Sequence, residues 1–327
     1  MNLLEQIKNN LKQSQKNVSI IFAEGWNKDI QAAANEATNE ISSIIPILIF
    51  NNRQEIPSNL NERIKCVVIN EINLDEYANY IFELRKNKGI NIDDAKKLAS
   101  QPNYLASTMV AMGKADGEIC GIEYTTADTL KAALQIVKTN PDTKVACSAF
   151  IMEKNGEQLV FGDCSVNINP DSEALASITK TISKFSKEIA KFDETRTAML
   201  SYSSAGSGKG ESVDKVRNAF EIVKQDQEFM KDYNVFGEIQ FDAANSMKTM
   251  QKKVKNLNWS KPANVYIFPD ISSGNIGYKI AQNIGGWQAI GPVILGLRKP
   301  VNDLSRGATI SDVVQLTYIT ASQAINK

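Results

Sequence analysis

The feature that most constrains the fold is an alternation of short β-branched runs with longer segments of helical periodicity along most of the chain. Such an alternation is typical of α/β proteins, in which helices connect parallel strands. One pair of runs, at 144–152 and 158–163, is joined instead by Lys154-Asn155-Gly156. Because Asn-Gly suits a tight type I′ turn, this pair predicts a β-hairpin inside an α/β fold whose sheets are mostly parallel.

Two clusters of turn-forming residues divide the chain. Its 327 residues exceed the size that one hydrophobic core usually organises, so we expect two domains. The clusters lie at 139–142, where the hairpin begins to interrupt the alternation, and at 298–303, before the last predicted helix. That helix, at 310–323, carries an apolar stripe that needs a partner surface. The stripe consists of Ile310, Val313, Val314, Thr317, Tyr318 and Ala321.

The charge balance and the cysteines exclude several classes of protein. Lys and Arg together number 37, as do Asp and Glu, so no basic field exists to bind a nucleic acid or an anionic membrane. The N-terminal segment lacks the apolar core of a signal peptide, and the longest apolar stretch, 41–50, is too short to cross a bilayer. The four cysteines have no C-x-x-C spacing, which argues against a structural zinc site and against a disulfide scaffold. We therefore expect a cytoplasmic protein that spans no membrane.

The chain contains no histidine. This excludes a Ser/His/Asp triad, a Cys/His dyad and a histidine-ligated zinc ion. Any proton transfer must use a carboxylate, a cysteine, a lysine or a tyrosine. Cys164 ends a predicted strand, and without a histidine to activate it we interpret it as a small buried apolar group rather than a nucleophile.

A glycine-rich segment at 203–210 invites comparison with phosphate-binding loops. Gly206 and Gly208 are too close together for a Walker A loop, and Gly210 stands where such a loop needs a hydroxyl residue for magnesium. A nucleoside triphosphatase is therefore disfavoured. Two interpretations remain open: an anion site at a helix N-terminus, or a simple connection between a strand and a helix.

The segment 303–312 also supports two interpretations. Ser305 offers a hydroxyl, Arg306 a planar cation suited to phosphate, and Gly307 a close approach of the backbone to a ligand, all just before a helix N-terminus. These features predict a phosphate pocket. Alternatively, Thr309 and Asp312 have the spacing of a capping box, in which Asp312 only satisfies the end of the helix.

Several motifs together resemble phosphate acetyltransferases (phosphotransacetylases), and the resemblance extends over most of the chain. The motifs lie at 109–117, 126–129, 206–210, 238–244, 268–270, 274–279 and 299–307. The resemblance implies reversible transfer of an acetyl group between coenzyme A and inorganic phosphate, which yields acetyl phosphate. Coenzyme A would be a substrate, with no tightly bound cofactor and no catalytic metal.

The resemblance also implies an architecture. Family members consist of two α/β lobes with mostly parallel sheets and an active-site cleft between them, and they usually form homodimers. Their last helix returns to the first lobe. The expected division is therefore an N-terminal α/β domain of residues 1–141 completed by 299–327, and an inserted second α/β domain of residues 142–298.

Site residues follow from the same resemblance, position by position. It implies that Asp312 is the catalytic carboxylate, Ser305 the catalytic serine, Arg306 the phosphate-binding arginine and Arg85 a coenzyme A-binding arginine. Lys131 stands where relatives carry a second such arginine, which keeps the charge but loses the bidentate fork. We expect direct attack of the coenzyme A thiolate on the acetyl group. Asp312 would either deprotonate the thiol or orient it, Ser305 would donate to the carbonyl oxygen, and Arg306 would hold the departing phosphate.

Three alternative functions share part of this pattern. A phosphate butyryltransferase-like enzyme would share the architecture. A non-catalytic protein that binds acyl-coenzyme A or phosphate would keep Arg85 and Arg306 without needing Asp312. A dehydrogenase of similar architecture would need a dinucleotide site, but no G-x-G-x-x-G motif follows an early strand.

Overall fold

The computed structural model describes residues 3–14, 16–255 and 257–326. The chain forms two compact units, Met1–Thr139 with Leu297–Lys327 and Asn140–Gly296. These bounds lie two residues from those of the predicted domains. Each unit contains one β-sheet with helices, which confirms the predicted mixed α/β class with mostly parallel sheets.

The first unit contains a five-stranded sheet in the order β11-β4-β1-β2-β3, and every neighbouring pair is parallel. Its strands are β1 (Val18–Phe22), β2 (Ile44–Phe50), β3 (Lys65–Val68), β4 (Gly117–Cys120) and β11 (Val301–Asp303). Its helices are α1 (Leu3–Gln13), α2 (Lys28–Glu40), α3 (Asp75–Arg85), α4 (Ile92–Ala99), α5 (Pro102–Ala111), α6 (Thr126–Ile136) and α13 (Ile310–Ile325).

The order of these strands creates a switch point beside β1. From β1 the chain adds β2 and β3 on one side, and then returns to place β4 and β11 on the other side. The connections that leave β1 and β4 therefore diverge. In open α/β sheets, ligands bind in the crevice at the carboxyl ends of strands where the order reverses in this way.

The last helix packs as its apolar stripe predicts. Val313, Val314, Thr317, Tyr318 and Ala321 are buried, and α13 contacts α1, α2, β1 and β4 of the first unit. The Tyr318 hydroxyl donates to Glu40 Oε2 on α2 at 2.6 Å. The segment that begins at Leu297 thus completes the core of the first unit.

The prediction of an uninterrupted turn cluster at 298–303 is wrong, because Val301–Asp303 forms strand β11 alongside β4. Asn and Asp are poor strand formers, so local propensity favours a turn here. Tertiary contacts override that preference. The buried Asn302 Nδ2 donates to Thr320 Oγ1 at 2.8 Å and to Gln323 Oε1 at 2.7 Å, both on α13.

The second unit contains a six-stranded sheet in the order β10-β5-β6-β9-β7-β8. Its strands are β5 (Cys147–Lys154), β6 (Glu157–Gly162), β7 (Arg196–Leu200), β8 (Asn234–Ile239), β9 (Val265–Ile267) and β10 (Gln288–Leu295). The hairpin of β5 and β6 is confirmed, with Asn155 and Gly156 both at positive φ. Strand β10 is antiparallel to β5, and the remaining neighbours are parallel.

Six helices accompany this second sheet: α7 (Ser172–Glu188), α8 (Glu211–Gln225), α9 (Gln227–Asp232), α10 (Phe241–Ala244), α11 (Met247–Lys253) and α12 (Ile271–Asn283). Helix α12 packs its small residues inward. A side chain added at Gly274 would lie 2.6 Å from the Asp163 carbonyl oxygen, and one at Gly277 would lie 2.9 Å from the Phe268 ring. Ile276 and Ile280 are exposed on its outer face, and Ile284, which directly follows the helix, is exposed as well. None of the helices in the described parts of the chain has the length and apolarity needed to traverse a lipid bilayer.

Candidate active site

Three neighbouring strands of the first unit end at one edge of its sheet. Glu24 follows β1, Gly121 follows β4, and Leu304-Ser305-Arg306 follows β11. Because these strands are parallel, their carboxyl ends meet at the switch point. The candidate site is therefore assembled from segments that lie far apart in sequence.

The buried Glu24 carboxylate organises the loop between β4 and α6. Its Oε2 accepts the backbone N–H groups of Gly121 at 2.9 Å and Ile122 at 3.2 Å. Its Oε1 accepts those of Glu123 at 2.7 Å and Tyr124 at 2.8 Å. Burial raises the pKa of Glu24 and these four hydrogen bonds only partly oppose it. One internal carboxylate thus satisfies four consecutive peptide groups.

Asp303 approaches the same loop from the other side. It is 2% exposed at the end of β11, and its Oδ2 accepts the Thr126 hydroxyl at 2.7 Å. Its Oδ1 has no hydrogen-bond partner among the described residues. Burial, with the charge of Glu24, raises the pKa of Asp303 to about 6, and the nearby hydroxyls of Thr126 and Thr129 only partly oppose this.

A third buried carboxyl group, Glu118, lies within β4. Its Oε2 accepts the Ser107 hydroxyl at 2.7 Å, while its Oε1 has no partner in the described part of the chain. Complete burial raises its pKa to about 8. No ion pair to Glu24, Glu118 or Asp303 occurs among the described residues. Desolvation therefore dominates the titration of this cluster.

Ser305 and Arg306 lie in an exposed turn directly after this buried cluster. The Ala308 N–H donates to the Ser305 carbonyl at 2.9 Å, and the Gly307 N–H donates to Ser305 Oγ at 3.3 Å. The guanidinium of Arg306 makes neither a hydrogen bond nor an ion pair with any described residue. Its five donors are thus free to bind an anion.

Asp312 forms the capping box that its spacing predicts. Its Oδ2 accepts the Thr309 N–H and the Thr309 hydroxyl, each at 2.8 Å, while the Asp312 N–H donates back to Thr309 Oγ1 at 3.3 Å. On Asp312, these bonds involve only Oδ2 and the backbone N–H group. The Oδ1 atom accepts none of the hydrogen bonds found among the described residues, so one carboxylate oxygen stays open to a ligand.

Lys131 and Arg85 lie on two helices of the same unit. Lys131 is exposed on α6. Arg85 ends α3, where its Nε is buried without a partner among the described residues. Burial raises the pKa of the nearby Tyr104, and the charge of Arg85 only partly opposes this. The Tyr104 hydroxyl donates to Gln135 Oε1 on α6 at 2.9 Å. Within the described parts of the chain, neither cation forms a hydrogen bond or ion pair with Ser305, Arg306 or Asp312.

The glycine-rich loop of the second unit is bound by a buried carboxylate from β8. Glu238, 2% exposed, accepts the Gly206 N–H at 3.0 Å and the Ser203 hydroxyl at 2.6 Å on Oε1. Arg217 donates to both Glu238 oxygens, at 3.0 and 3.2 Å. Burial opposes ionisation of Glu238, but these bonds outweigh it and lower the pKa. Of the two interpretations of this loop, the structural connection is favoured.

Cys164 is fully buried, and burial raises the pKa of its thiol well above the usual value. The structure therefore opposes formation of a nucleophilic thiolate at this position. Across the described residues, no group of three or more cysteine, aspartate or glutamate side chains is arranged to hold a metal ion.

Sequence reasoning missed Glu24, Thr126 and Asp303. Glu24 directly follows one of the short β-branched runs, 18–23, which is the available signal, since polar residues at strand ends line crevices in α/β folds. Asp303 belongs to a stretch that we predicted as a turn. Its burial depends on β11 joining the sheet, which local sequence does not indicate.

Comparisons with known proteins establish the family of this chain. The family model for phosphate acetyl/butaryl transferase matches residues 2–321. A phosphate acetyltransferase of Mycoplasma genitalium is 46% identical over 325 residues, which cover 99% of this chain and 100% of the relative. The structure of a phosphotransacetylase from Streptococcus pyogenes matches with a TM-score of 0.92 at 37% identity, covering 99% of this chain and 98% of that one. On these grounds the chain belongs to the phosphate acetyl/butaryl transferase family.

Proposed function

We propose that this chain is a phosphate acetyltransferase, an acyltransferase that moves an acetyl group reversibly between coenzyme A and inorganic phosphate. The observation that carries the proposal is the nearly full-length similarity to phosphate acetyltransferases. Arg306 supports it, because this residue has no hydrogen-bond or ion-pair partner in the described part of the chain and lies beside Ser305 at the carboxyl edge of a parallel sheet.

We assign Arg306 to the phosphoryl group of acetyl phosphate. Its planar donors match phosphate oxygens, and its charge stabilises the negative charge that develops on the departing phosphate. The Ser305 hydroxyl would donate to the carbonyl oxygen as that oxygen gains charge. Both side chains are exposed in the turn that follows β11, where a ligand can reach them.

Asp312 would act on the thiol of coenzyme A through its free Oδ1. The thiolate sulphur forms a bond to the acetyl carbon, the bond from that carbon to the phosphate oxygen breaks, and phosphate leaves with the electron pair. Because a carboxylate is a much weaker base than a thiolate, Asp312 must either orient the thiol or take its proton as the attack proceeds. No residue of the protein is acylated in this scheme.

We assign Arg85 and Lys131 to coenzyme A. Both are cations without an ion-pair partner among the described residues, so their charges are available to the phosphate groups of coenzyme A. Coenzyme A would be a substrate rather than a bound cofactor, and the reaction would need no metal ion. We also propose a cytoplasmic protein that binds neither nucleic acid nor membrane.

The assembly we propose is a homodimer of chains with two domains each. The domains would be residues 1–141 with 299–327, and residues 142–298. The exposed isoleucines of the α12 face support self-association, because Ile276, Ile280 and Ile284 are 58%, 53% and 84% exposed. Large apolar side chains grouped in this way usually mark an interaction surface. Sedimentation of the purified chain would measure the assembly.

The test of the proposed function is thioester formation from acetyl phosphate and coenzyme A, followed by ultraviolet absorbance. Arg306→Gln should abolish most turnover. Arg63→Gln serves as the matched control, because Arg63 precedes β3 at the opposite edge of the sheet and donates to the Thr38 carbonyl. A wild-type protein that binds coenzyme A without turnover would support the non-catalytic alternative. Propionyl and butyryl phosphate, used as competitors, would reveal a butyryltransferase-like preference.

A further inference from the structure

Asp303 is fixed by three neighbouring segments. Its Oδ2 accepts the Thr126 hydroxyl at the first turn of α6. Its Oδ1 faces Gly121, where an added side-chain carbon would lie 2.3 Å away. The next peptide, the Leu304 N–H, donates to the Cys120 carbonyl at 2.7 Å. The carboxylate therefore lies at the junction of β11, the end of β4 and the start of α6.

Gly121 permits this close approach for a clear conformational reason. Its φ of 111° is a backbone conformation that side-chain-bearing residues rarely adopt, and the space a side chain would fill is taken by Asp303. The loop from Gly121 to Thr126 thus lies between two buried carboxylates. Glu24 holds its peptide N–H groups on one side, and Asp303 holds the Thr126 hydroxyl on the other.

The hydrogen bond between Thr126 and Asp303 connects the two substrate-binding segments of the proposed function. Asp303 lies two residues before Ser305 and three before Arg306, which we assign to acetyl phosphate. Thr126 begins the helix that carries Lys131, which we assign to coenzyme A. Direct transfer needs the thiol and the carbonyl carbon in one reactive geometry, so the relative placement of these segments controls the rate.

We propose that Asp303 is a positioning residue for acyl transfer, which fixes α6 against the Ser305-Arg306 turn through its hydrogen bond with Thr126. This inference rests on the proposed function. Asp303 itself touches no substrate, since its carboxylate is enclosed. Loss of the bond should misalign the two substrates while leaving the individual contacts to each of them in place.

The test compares Thr126→Val, which removes the hydroxyl and keeps the size, with Thr126→Ser, which keeps the hydroxyl. Thr126→Val should lower kcat by about 10- to 100-fold, with each KM within about threefold of wild type, because misplacement affects orientation more than affinity. Thr126→Ser should restore kcat to within about threefold.

Thr38→Val is the matched control. Thr38 is buried in the same unit and donates to the Ile44 carbonyl at 2.9 Å, at the start rather than the end of β2. The same substitution there should lower the melting temperature with no loss of kcat. Asp303→Asn gives a second route, since a neutral acceptor keeps a weaker hydrogen bond and should cost less than Thr126→Val.

The outcomes separate the inference from the proposed function. A wild-type protein without turnover refutes the proposed function. An active wild type whose kcat survives Thr126→Val refutes the positioning role alone. The positioning role is also refuted if Thr126→Ser fails to restore the kcat that Thr126→Val loses. It is refuted as well if Thr38→Val causes the same loss of kcat.

Discussion

Glu118→Gln tests the energetic cost of the buried carboxyl cluster. Burial raises the pKa of Glu118 from 4.5 to about 8, so the folded protein holds a proton at this site that the unfolded chain releases. A group with this behaviour makes unfolding more favourable as pH rises from about 4.5 to about 8. Below that range both states are protonated and the cost is absent; above it the full cost applies. Glutamine cannot ionise and removes the effect.

The magnitude follows from the two pKa values. At about 1.36 kcal/mol per pH unit, their difference corresponds to about 5 kcal/mol, of which up to about 4 kcal/mol appears between about pH 5 and pH 9. The free energy of unfolding of wild type should fall by that amount relative to Glu118→Gln over this range. At low pH the variant should be slightly the less stable protein, because the protonated carboxyl brings one O–H donor and the amide two N–H donors to a place where Oε1 has no partner among the described residues.

Urea denaturation at a series of pH values measures this difference directly. Glu62→Gln is the control, because Glu62 is exposed and its replacement should leave the pH dependence unchanged. Glu24 and Asp303 remain in the variant, and because burial raises the pKa of both, the free energy of unfolding of the variant should still fall somewhat as pH rises. Parallel curves for wild type and Glu118→Gln would refute the reasoning, because they would mean that Glu118 titrates alike in the folded and unfolded states.

Three further predictions concern the proposed chemistry. Lys131→Arg should lower the coenzyme A KM by about 2- to 10-fold with little change in kcat, because the contact is equal in the ground and transition states; an unchanged KM in steady-state assays would mean that position 131 does not touch the ligand. Cys164→Ala should retain most activity, and initial-rate plots should intersect, because direct transfer needs no acyl-enzyme. Acetylation of Cys164 during turnover, detected by mass spectrometry, would contradict direct transfer. Asp312→Asn should lower kcat by about 10²- to 10⁴-fold while the melting temperature barely moves; near-normal turnover with a stability loss of at most about 1 kcal/mol would reduce Asp312 to its role in the capping box.

Local sequence signals predict the fold where one element carries several consistent features. Helix α13 has both an apolar stripe and a capping box, so its start at Ile310 and its buried face agree with the sequence. The hairpin of β5 and β6 depends on two turn residues that act locally. Strand β11 differs, because it depends on β4 for backbone pairing and on α13 and α6 for partners of its polar side chains.

The candidate site follows the same distinction. Ser305, Arg306 and Asp312 lie within one short segment, so a single motif suggests them together. Glu24 and the loop it organises are about a hundred residues apart in sequence. Only the order of strands in the sheet brings them together, and no local pattern encodes that order.

The buried Glu238 carboxylate that binds the glycine-rich loop has a consequence for how the second unit behaves without substrate. Glu238 of β8 already accepts the Gly206 N–H and the Ser203 hydroxyl, and Arg217 balances its charge, so the loop at 203–210 should need no added anion to be ordered. Its backbone should keep the same protection from hydrogen exchange in water, in sulphate and in phosphate. The order of this segment is thus part of folding itself, already complete before any ligand arrives.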